Sequence, residues 1–504
     1  MKILLKCYSN ELVNFQLLRL FMYQINFEPK KIFEYQLYSL MDPITKNKVN
    51  HYGSLTDKQN YSKQLRFSTK ARIERYISYN LLAVKNKFKE PIDLYISYKG
   101  EIDVGSNIFL EIYRKYEIGN IYFEDLVQEK YYEDNLEKIV KGALEENKDE
   151  AYDMALKFLS AGDGWTAINI IKKLIDEVNE KDCYYYDLGI AYTQIGETER
   201  AEYYLVKSKE SLSEDRQIDS NYALAMLYAR HHPRFLKSDK LAEKLLNEAY
   251  SCFSDNDINF YKIFNRNGLA LLLYKRNEVE KAIQLLFFFY VSIKEISNKK
   301  LSKLDNFFHE SVLTYNLIQC YMKINSIKDV KLGFEKLLKM DPLFLENHLE
   351  YANFLIKIKD YKKAFKHLQI ALDFNPFVPE IHSLLGIYYL DLNHLSESKE
   401  HFRQSYLYSG READFLYDYC FVLNELHEYN KTIELINGNV LNGVASDEEV
   451  YISLVILLVE AYLNTNHIAK SIEIFEKAFN HYPHNDLLKQ NKDNLTSIKR
   501  ESAL

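Results

Sequence analysis

Residues 345–376 read LENHLEYANFLIKIKDYKKAFKHLQIALDFNP, and this stretch decides the fold. Tyr351, Ala352 and Leu355 fall on one stripe at helical spacing, and Ala364, Leu368 and Ala371 fall on another. The pattern predicts two helices, from about Leu345 to Lys357 and from about Tyr361 to Phe374. Ala364 is small because the two helices must approach closely there. Pro376 lies just past the second helix, where its missing N–H and fixed φ stop the helix. The same features recur 34 residues away on each side. Tyr321, Leu355 and Tyr389 are in step, as are Val330, Ala364 and Ser398, then Phe334, Leu368 and Phe402, then Pro342, Pro376 and Gly410. A fixed period means one supersecondary unit stacked on copies of itself. One helix pair cannot bury both of its apolar faces, so the array is stable only as a stack.

On these residues the chain resembles the tetratricopeptide repeat (TPR) family over about residues 150–485. The resemblance implies a mainly α fold: a right-handed TPR-type α-solenoid of helix hairpins, with a smaller N-terminal β-rich domain beside it. The small residue of the second helix marks each unit. The markers are Ala167, Ala201, Ala242, Ala282, Val330, Ala364, Ser398, Thr432 and Ser471, spaced 34, 41, 40, 48, 34, 34, 34 and 39 residues apart. Leu188-Gly189 and Tyr192 precede Ala201 at the family's spacing, whereas Thr432 and Ser471 depart from its usual alanine. The longer spacings come from insertions between His231 and Lys240, Ser292 and Asn306, and Asn437 and Glu449. The chain therefore divides into a β-rich domain over 1–122, linking or capping helices over 123–148, about nine hairpins over 149–484, and a polar C-terminal cap or tail over 485–504.

The first 122 residues have a different period. Lys31 to Leu40 and Ile92 to Tyr98 alternate between apolar and polar residues, which reads as strands with one wet face. Lys2 to Tyr8, Ile73 to Tyr79 and Ile108 to Tyr113 are further candidate strands, with Pro43, Gly53, Lys99-Gly100 and Gly105 supplying turns. An antiparallel domain follows from this reading, with a polar loop from Asn47 to Gln64. Tyr122 to Glu146 is rich in Glu, Lys and Leu and reads as helical.

Composition narrows the function classes. The net charge of −7 over 504 residues provides no basic stripe of the kind a nucleic-acid binder carries. The cysteines (Cys7, Cys183, Cys252, Cys320, Cys420) are scattered and form no Cys-x-x-Cys pair, which fits a reducing compartment. Lys6 interrupts the first apolar run, and Val455 to Val459 is too short to span a membrane. A cytoplasmic protein without membrane insertion is expected. No Gly-rich phosphate loop, His-Glu-x-x-His or Gly-x-Ser-x-Gly occurs, so no catalytic residue, metal or cofactor is assigned. Gly162-Asp163-Gly164 reads as a turn. Asp93, Glu101 and Asp103 lie near one turn, where a cation or ordinary turn charges would account for them.

The candidate site is the inner row of the first helices. The residue three before each packing position should face the groove, giving Tyr152, Tyr186, Tyr222, Asn267, Tyr315, Leu349, Ser383, Tyr417 and Ile456; the residue after that position adds Gln319 and Asn353. Tyrosine offers contact area at little entropic cost, and Asn and Gln pair with main-chain amides. The expected partner is a protein or an extended peptide, held by a non-enzymatic scaffold. The alternative is an enzyme, or an accessory subunit, with a site in the N-terminal domain and repeats that present a substrate. The Lys/Asn clamp with which chaperone-binding members hold a terminal carboxylate is not found at these positions.

Overall fold

A computed structural model describes residues 1–8, 11–25, 69–123, 135–161, 163–177, 182–210, 214–233, 235–253, 260–296, 303–340, 342, 344–439 and 448–492. Contacts divide the chain into two compact units, Met1–Asn347 and His348–Leu504.

The first unit opens with β1 (Lys2–Tyr8), α1 (Gln16–Ile25), α2 (Thr69–Phe88), β2 (Asp93–Lys99), α3 (Val104–Lys115) and β3 (Ile121–Phe123). The strands form one sheet in the order β1-β2-β3, and both pairings are parallel. Lys2 faces Asp93 and Tyr8 faces Lys99, while Leu94 faces Ile121. The antiparallel expectation is thereby corrected. Lys99-Gly100 does not close a hairpin. Gly100, at φ 108°, leads to Asp103, whose side chain caps α3, and that helix carries the chain back to a parallel strand.

Two expected strands are helices. Ile73 to Tyr79 lies in α2, where Ile73, Ile77, Leu81 and Val84 are buried at helical spacing. Ile108 to Tyr113 lies in α3, which buries Ile108, Phe109, Ile112 and Tyr113. In both cases the β-branched and aromatic residues of a short segment belong to a longer stripe of period 3.6. Tyr122, expected in a helix, belongs to β3, and helix α4 (Asn135–Glu146) comes next. The expected strand from Lys31 to Leu40 and the loop from Asn47 to Gln64 lie outside the described residues.

Helices then come in pairs. These are α5 (Lys148–Ala161) with α6 (Gly164–Glu177), α7 (Asp182–Ile195) with α8 (Thr198–Lys209), α9 (Glu214–Met226) with α10 (Asp239–Tyr250), α11 (Phe260–Lys275) with α12 (Val279–Ile296), and α13 (Lys303–Lys323) with α14 (Ile327–Met340). The next are α15 (Leu345–Lys357) with α16 (Tyr361–Phe374), α17 (Pro379–Asp391) with α18 (Leu395–Tyr408), α19 (Ala413–Glu425) with α20 (Tyr429–Asn439), and α21 (Glu448–Asn464) with α22 (Ile468–His481). A π-helical turn, Leu227–His231, extends α9. Residues 486–492 are helical, and Leu488 is buried in the core of α21 and α22. The architecture is a TPR-type array of helix hairpins with a small three-stranded sheet at the N-terminus.

Each of the nine markers lies in a second helix and is fully buried. The hydroxyls that replace alanine find carbonyls at two of the three departures. Ser398 Oγ donates to Gly386 O across the hairpin at 2.9 Å, and Ser471 Oγ donates to Ile468 O at 2.7 Å. The turns share a second constraint. Gly196, Asn277, Asn325, Lys359, Asn393, His427 and Asn466, each five residues before a marker, all have positive φ. The next N–H bonds back across the turn, as in Asp360 N to Leu355 O and His394 N to Tyr389 O, both 2.8 Å. This closure satisfies orphan carbonyls at the end of the first helix.

The N-terminal α/β part shares a core with the first hairpins. Leu12 and Val13 are buried with Leu136, Val140, Ile170 and Leu174. The Glu137 carboxylate accepts from three backbone N–H groups, those of Glu11 (3.2 Å), Leu12 (3.2 Å) and Val13 (2.8 Å). Asn14 N donates to Thr166 Oγ1 at 3.0 Å, and Asn169 Nδ2 donates to Leu12 O at 3.1 Å. Asp163, in the turn before α6, accepts from Thr166 N and Thr166 Oγ1. Burial pushes its carboxyl up to about 6 against those hydrogen bonds. Asp103 accepts from Phe15 N (2.7 Å) as well as from Ser106, and Asp93 accepts from Asn120 N. Asp103 is therefore a helix cap, and Asp93 ties the turn before β3 to β2.

Two stability changes are expected. Ala364→Leu should overpack its hairpin and lower the unfolding free energy by about 1–3 kcal/mol in a urea titration; an unchanged midpoint would refute the close approach. Glu137→Ala should cost about 3 kcal/mol by leaving buried N–H groups unpaired, with Glu137→Gln losing less because one oxygen acceptor remains. Equal losses in the two variants would show that the carbonyl oxygen retained by Gln contributes nothing.

Candidate functional site

Four of the sequence-derived groove residues meet in one cavity of the first unit. Tyr222 on α9, Asn267 on α11, and Tyr315 and Gln319 on α13 line a space of about 220 Å³. The hairpins around it include the three largest departures from the 34-residue spacing, at 41, 40 and 48. Helix lengths differ there: α12 has 18 residues and α13 has 21, whereas α9 has 13 and α10 has 12.

Gly268 lets α9 and α11 come close at the cavity wall. A Cβ at this position would lie 2.9 Å from Met226 Cε and 3.3 Å from Tyr222 Cε2. The π-helical turn shifts the side chains that come after Met226, and it delivers Arg230 to the lining. Asn316 Nδ2 donates to Asn267 Oδ1 at 2.7 Å, tying two first helices together at the wall. Tyr222 packs against Phe264 with ring centroids 5.8 Å apart.

The cavity's weak acids stay protonated at neutral pH. Burial pushes the Tyr222 hydroxyl up to about 12, partly opposed by Arg230. Burial raises Tyr274 as well, with Cys320 adding to it, and pushes the Cys320 thiol up to about 11. A thiol held there is no nucleophile. The chemistry on offer is hydrogen bonding from hydroxyls and amides, apolar contact, and one guanidinium.

The other groove residues do not join this cavity. Tyr152 and Tyr186 belong to the same row in the first unit; Leu349, Asn353, Ser383 and Tyr417 lie in the second. All eleven, with Ile456 on α21 of the second unit, are half-buried, neither core nor fully exposed. Several are fastened to the next first helix. Tyr152 donates to Asp187, and Ser383 Oγ donates to Asp418 Oδ2 at 3.1 Å, the same step of 35 residues in each case. The Arg216 guanidinium sits 5.3 Å from the Tyr186 ring centre. Sequence reasoning missed Arg230, Tyr274 and Asn316. Asn316 is one residue past a groove position, but nothing in the pattern announces the π turn that aims Arg230.

The remaining candidates have structural roles. In the inserted loop, His232 is buried with Nε2 3.1 Å from Glu202 Oε2, and Tyr228 also donates to Glu202. Cys420 is buried in α19, and burial pushes its thiol up to about 12. Among the described residues no group of three metal-binding side chains occurs, and no helix is long and apolar enough to cross a membrane.

The second unit repeats a histidine pair every 34 residues. His348 and His367 approach to 3.1 Å between Nδ1 atoms, and His382 and His401 to 3.2 Å. His382 Nε2 lies 2.8 Å from Pro376 O, so this nitrogen carries the hydrogen and Nδ1 accepts from His401. Burial lowers His382 to about 4 and lowers His401 as well.

No family model matches the chain, and no curated protein matches it. Solved structures resemble it at low similarity. A Pseudomonas aeruginosa PilF structure is 20% identical over 45% of this chain and 90% of its own, with a TM-score of 0.34. The APC/C hetero-tetramer Cut9–Hcn1 is 10% identical over 86% of this chain and 96% of its own, with a TM-score of 0.34. Yeast Tom70 is 10% identical over 71% of this chain and 97% of its own, with a TM-score of 0.33. The hairpin array rests on the chain's own buried markers and turns.

A pH dependence follows from His382. Its folded form resists a proton that the unfolded chain takes up near pH 6.5. The stability contributed by the neutral pair is complete above pH 6.5 and falls as pH drops from 6.5 toward 4. The loss should reach roughly 2–3 kcal/mol. Urea midpoints of the wild type and His382→Gln, compared at pH 7 and pH 4.5, should show a smaller acid loss in the variant; parallel losses would contradict the shift.

Proposed function

We propose that the chain is a non-enzymatic interaction scaffold whose first-helix row binds an extended peptide or protein segment, with the α9–α11–α13 cavity as its anchor. The observation that carries this reading is the convergence of Tyr222, Asn267, Tyr315 and Gln319 on that cavity. Protonated tyrosines give rigid contact area with a hydroxyl at the tip, and the amides match both groups of a peptide bond. A cavity of this size takes one or two side chains, so the rest of a segment would lie along the row. Half-buried Tyr152 and Tyr186 extend the row within the first unit.

The chemistry of the lining favours binding over catalysis. Its thiol and hydroxyls are held protonated, and its described residues include neither a carboxylate nor a histidine to act as a base. Cys252, Cys320 and Cys420 are free thiols, in keeping with a cytoplasmic site of action.

A photo-crosslinking residue at position 319, used in the native cell, tests the reading. Adducts to a polypeptide are expected, mapped by mass spectrometry to a short segment. Tyr222→Ala combined with Tyr315→Ala should weaken capture at least tenfold, as removal of central aromatic anchors does. Adducts unchanged by the double substitution would show that the cavity is not the anchor.

A further inference from the structure

We infer that the segment anchored in the α9–α11–α13 cavity carries an acidic side chain next to an apolar one, and that Arg230 receives its carboxylate. This inference rests on the peptide-binding function proposed for the same cavity. Among the described residues of the lining Arg230 is the only charged side chain, and no Asp, Glu, Lys or His joins it there; its chain neighbour His231, lowered to about 4 by burial, is uncharged at neutral pH. Among the described residues no hydrogen bond or ion pair engages it. Other arginines are engaged: Arg200 with Glu197, Arg276 with Glu243, and Arg403 with Glu400. The π-helical turn that places Arg230 at the cavity leaves its guanidinium exposed at the edge.

The rest of the lining fixes what accompanies the charge. Met226, Leu286 and Val312 offer an apolar wall for a neighbouring aliphatic or aromatic side chain. A single guanidinium presents one planar fork, which matches one carboxylate; doubly charged phosphate is normally met by several arginines. The acid is an internal residue of the segment, because the half-buried row continues past the cavity through Tyr186 to Tyr152. A partner would pass through the site.

The test uses the full-length protein and displayed random hexapeptides, presented either as internal inserts or with free C-termini. The internal library should enrich Asp or Glu beside Leu, Ile, Phe or Met. The winning peptide, acetylated and amidated, should lose at least tenfold in affinity when its acid becomes the amide. Arg230→Gln protein should bind both peptides alike at the weaker level, and Arg230→Lys should recover part of the difference. Enriched peptides without an acid, an unchanged acid-to-amide ratio in Arg230→Gln, a phosphate requirement, or enrichment only with free C-termini would each overturn the acidic-segment inference while leaving peptide binding standing. No enrichment from either library would overturn both.

Discussion

The array depends on how closely two helices can approach within a pair. That distance is set by one small side chain, nowhere larger than the valine or threonine at positions 330 and 432, and the nine positions that set it are all fully buried. The residues downstream of the markers are equally regular. Four residues on, one turn along the same face, stand Ile171, Leu205, Leu246, Leu286, Phe334, Leu368, Phe402, Ile436 and Phe475, all buried. The small residue closes the pair, and the large one fills the space that closure leaves. Five residues before the marker, a left-handed turn residue fixes where the second helix starts in seven of the nine pairs. Turn, small residue and large residue are therefore one geometric unit, and interior packing density penalises a change at any of the three.

Much of this was legible in the chain. The marker series needs only a 3.6-residue stripe and a fixed period, and both survive wide variation elsewhere. Asn277, Asn325, Asn393 and Asn466 could also have been used, because asparagine five residues before a marker reports left-handed backbone directly. The N-terminal region was less legible. Ile73 to Tyr79 is rich in Ile and Tyr over seven residues yet belongs to a helix whose buried residues run to Val84. Strand direction was not readable from alternation at all, since parallel and antiparallel strands share period two; only the helical crossover between β2 and β3 decides it.

The candidate site was partly legible for the same physical reason. Groove positions derive from helical phase, so residues such as Tyr222 and Tyr315 could be placed on one row. Phase says nothing about gaps between units. Those depend on differences in helix length and on the π turn, which are departures from the period. Arg230 is visible only once Leu227–His231 is known to be π-helical, because that turn breaks the phase that located everything else. The 41-, 40- and 48-residue spacings are thus both a weak part of the repeat signal and the place where the α9–α11–α13 cavity lies.

A stack of hairpins has a further problem at its ends, where an apolar face has no next unit to cover it. The first unit meets this with the N-terminal α/β part. Leu12 and Val13 enter the core of the first hairpins, and Glu137 holds their backbone by its N–H groups, which would otherwise be buried unpaired. Phe15 adds an edge-on contact to Trp165 while sitting at φ 64°, a strained conformation for a phenylalanine. The surrounding contacts offset that strain: its N–H donates to Asp103, and its ring occupies the place a Cβ at position 105 would need. The sheet and the first hairpins are therefore joined by one interlocked core.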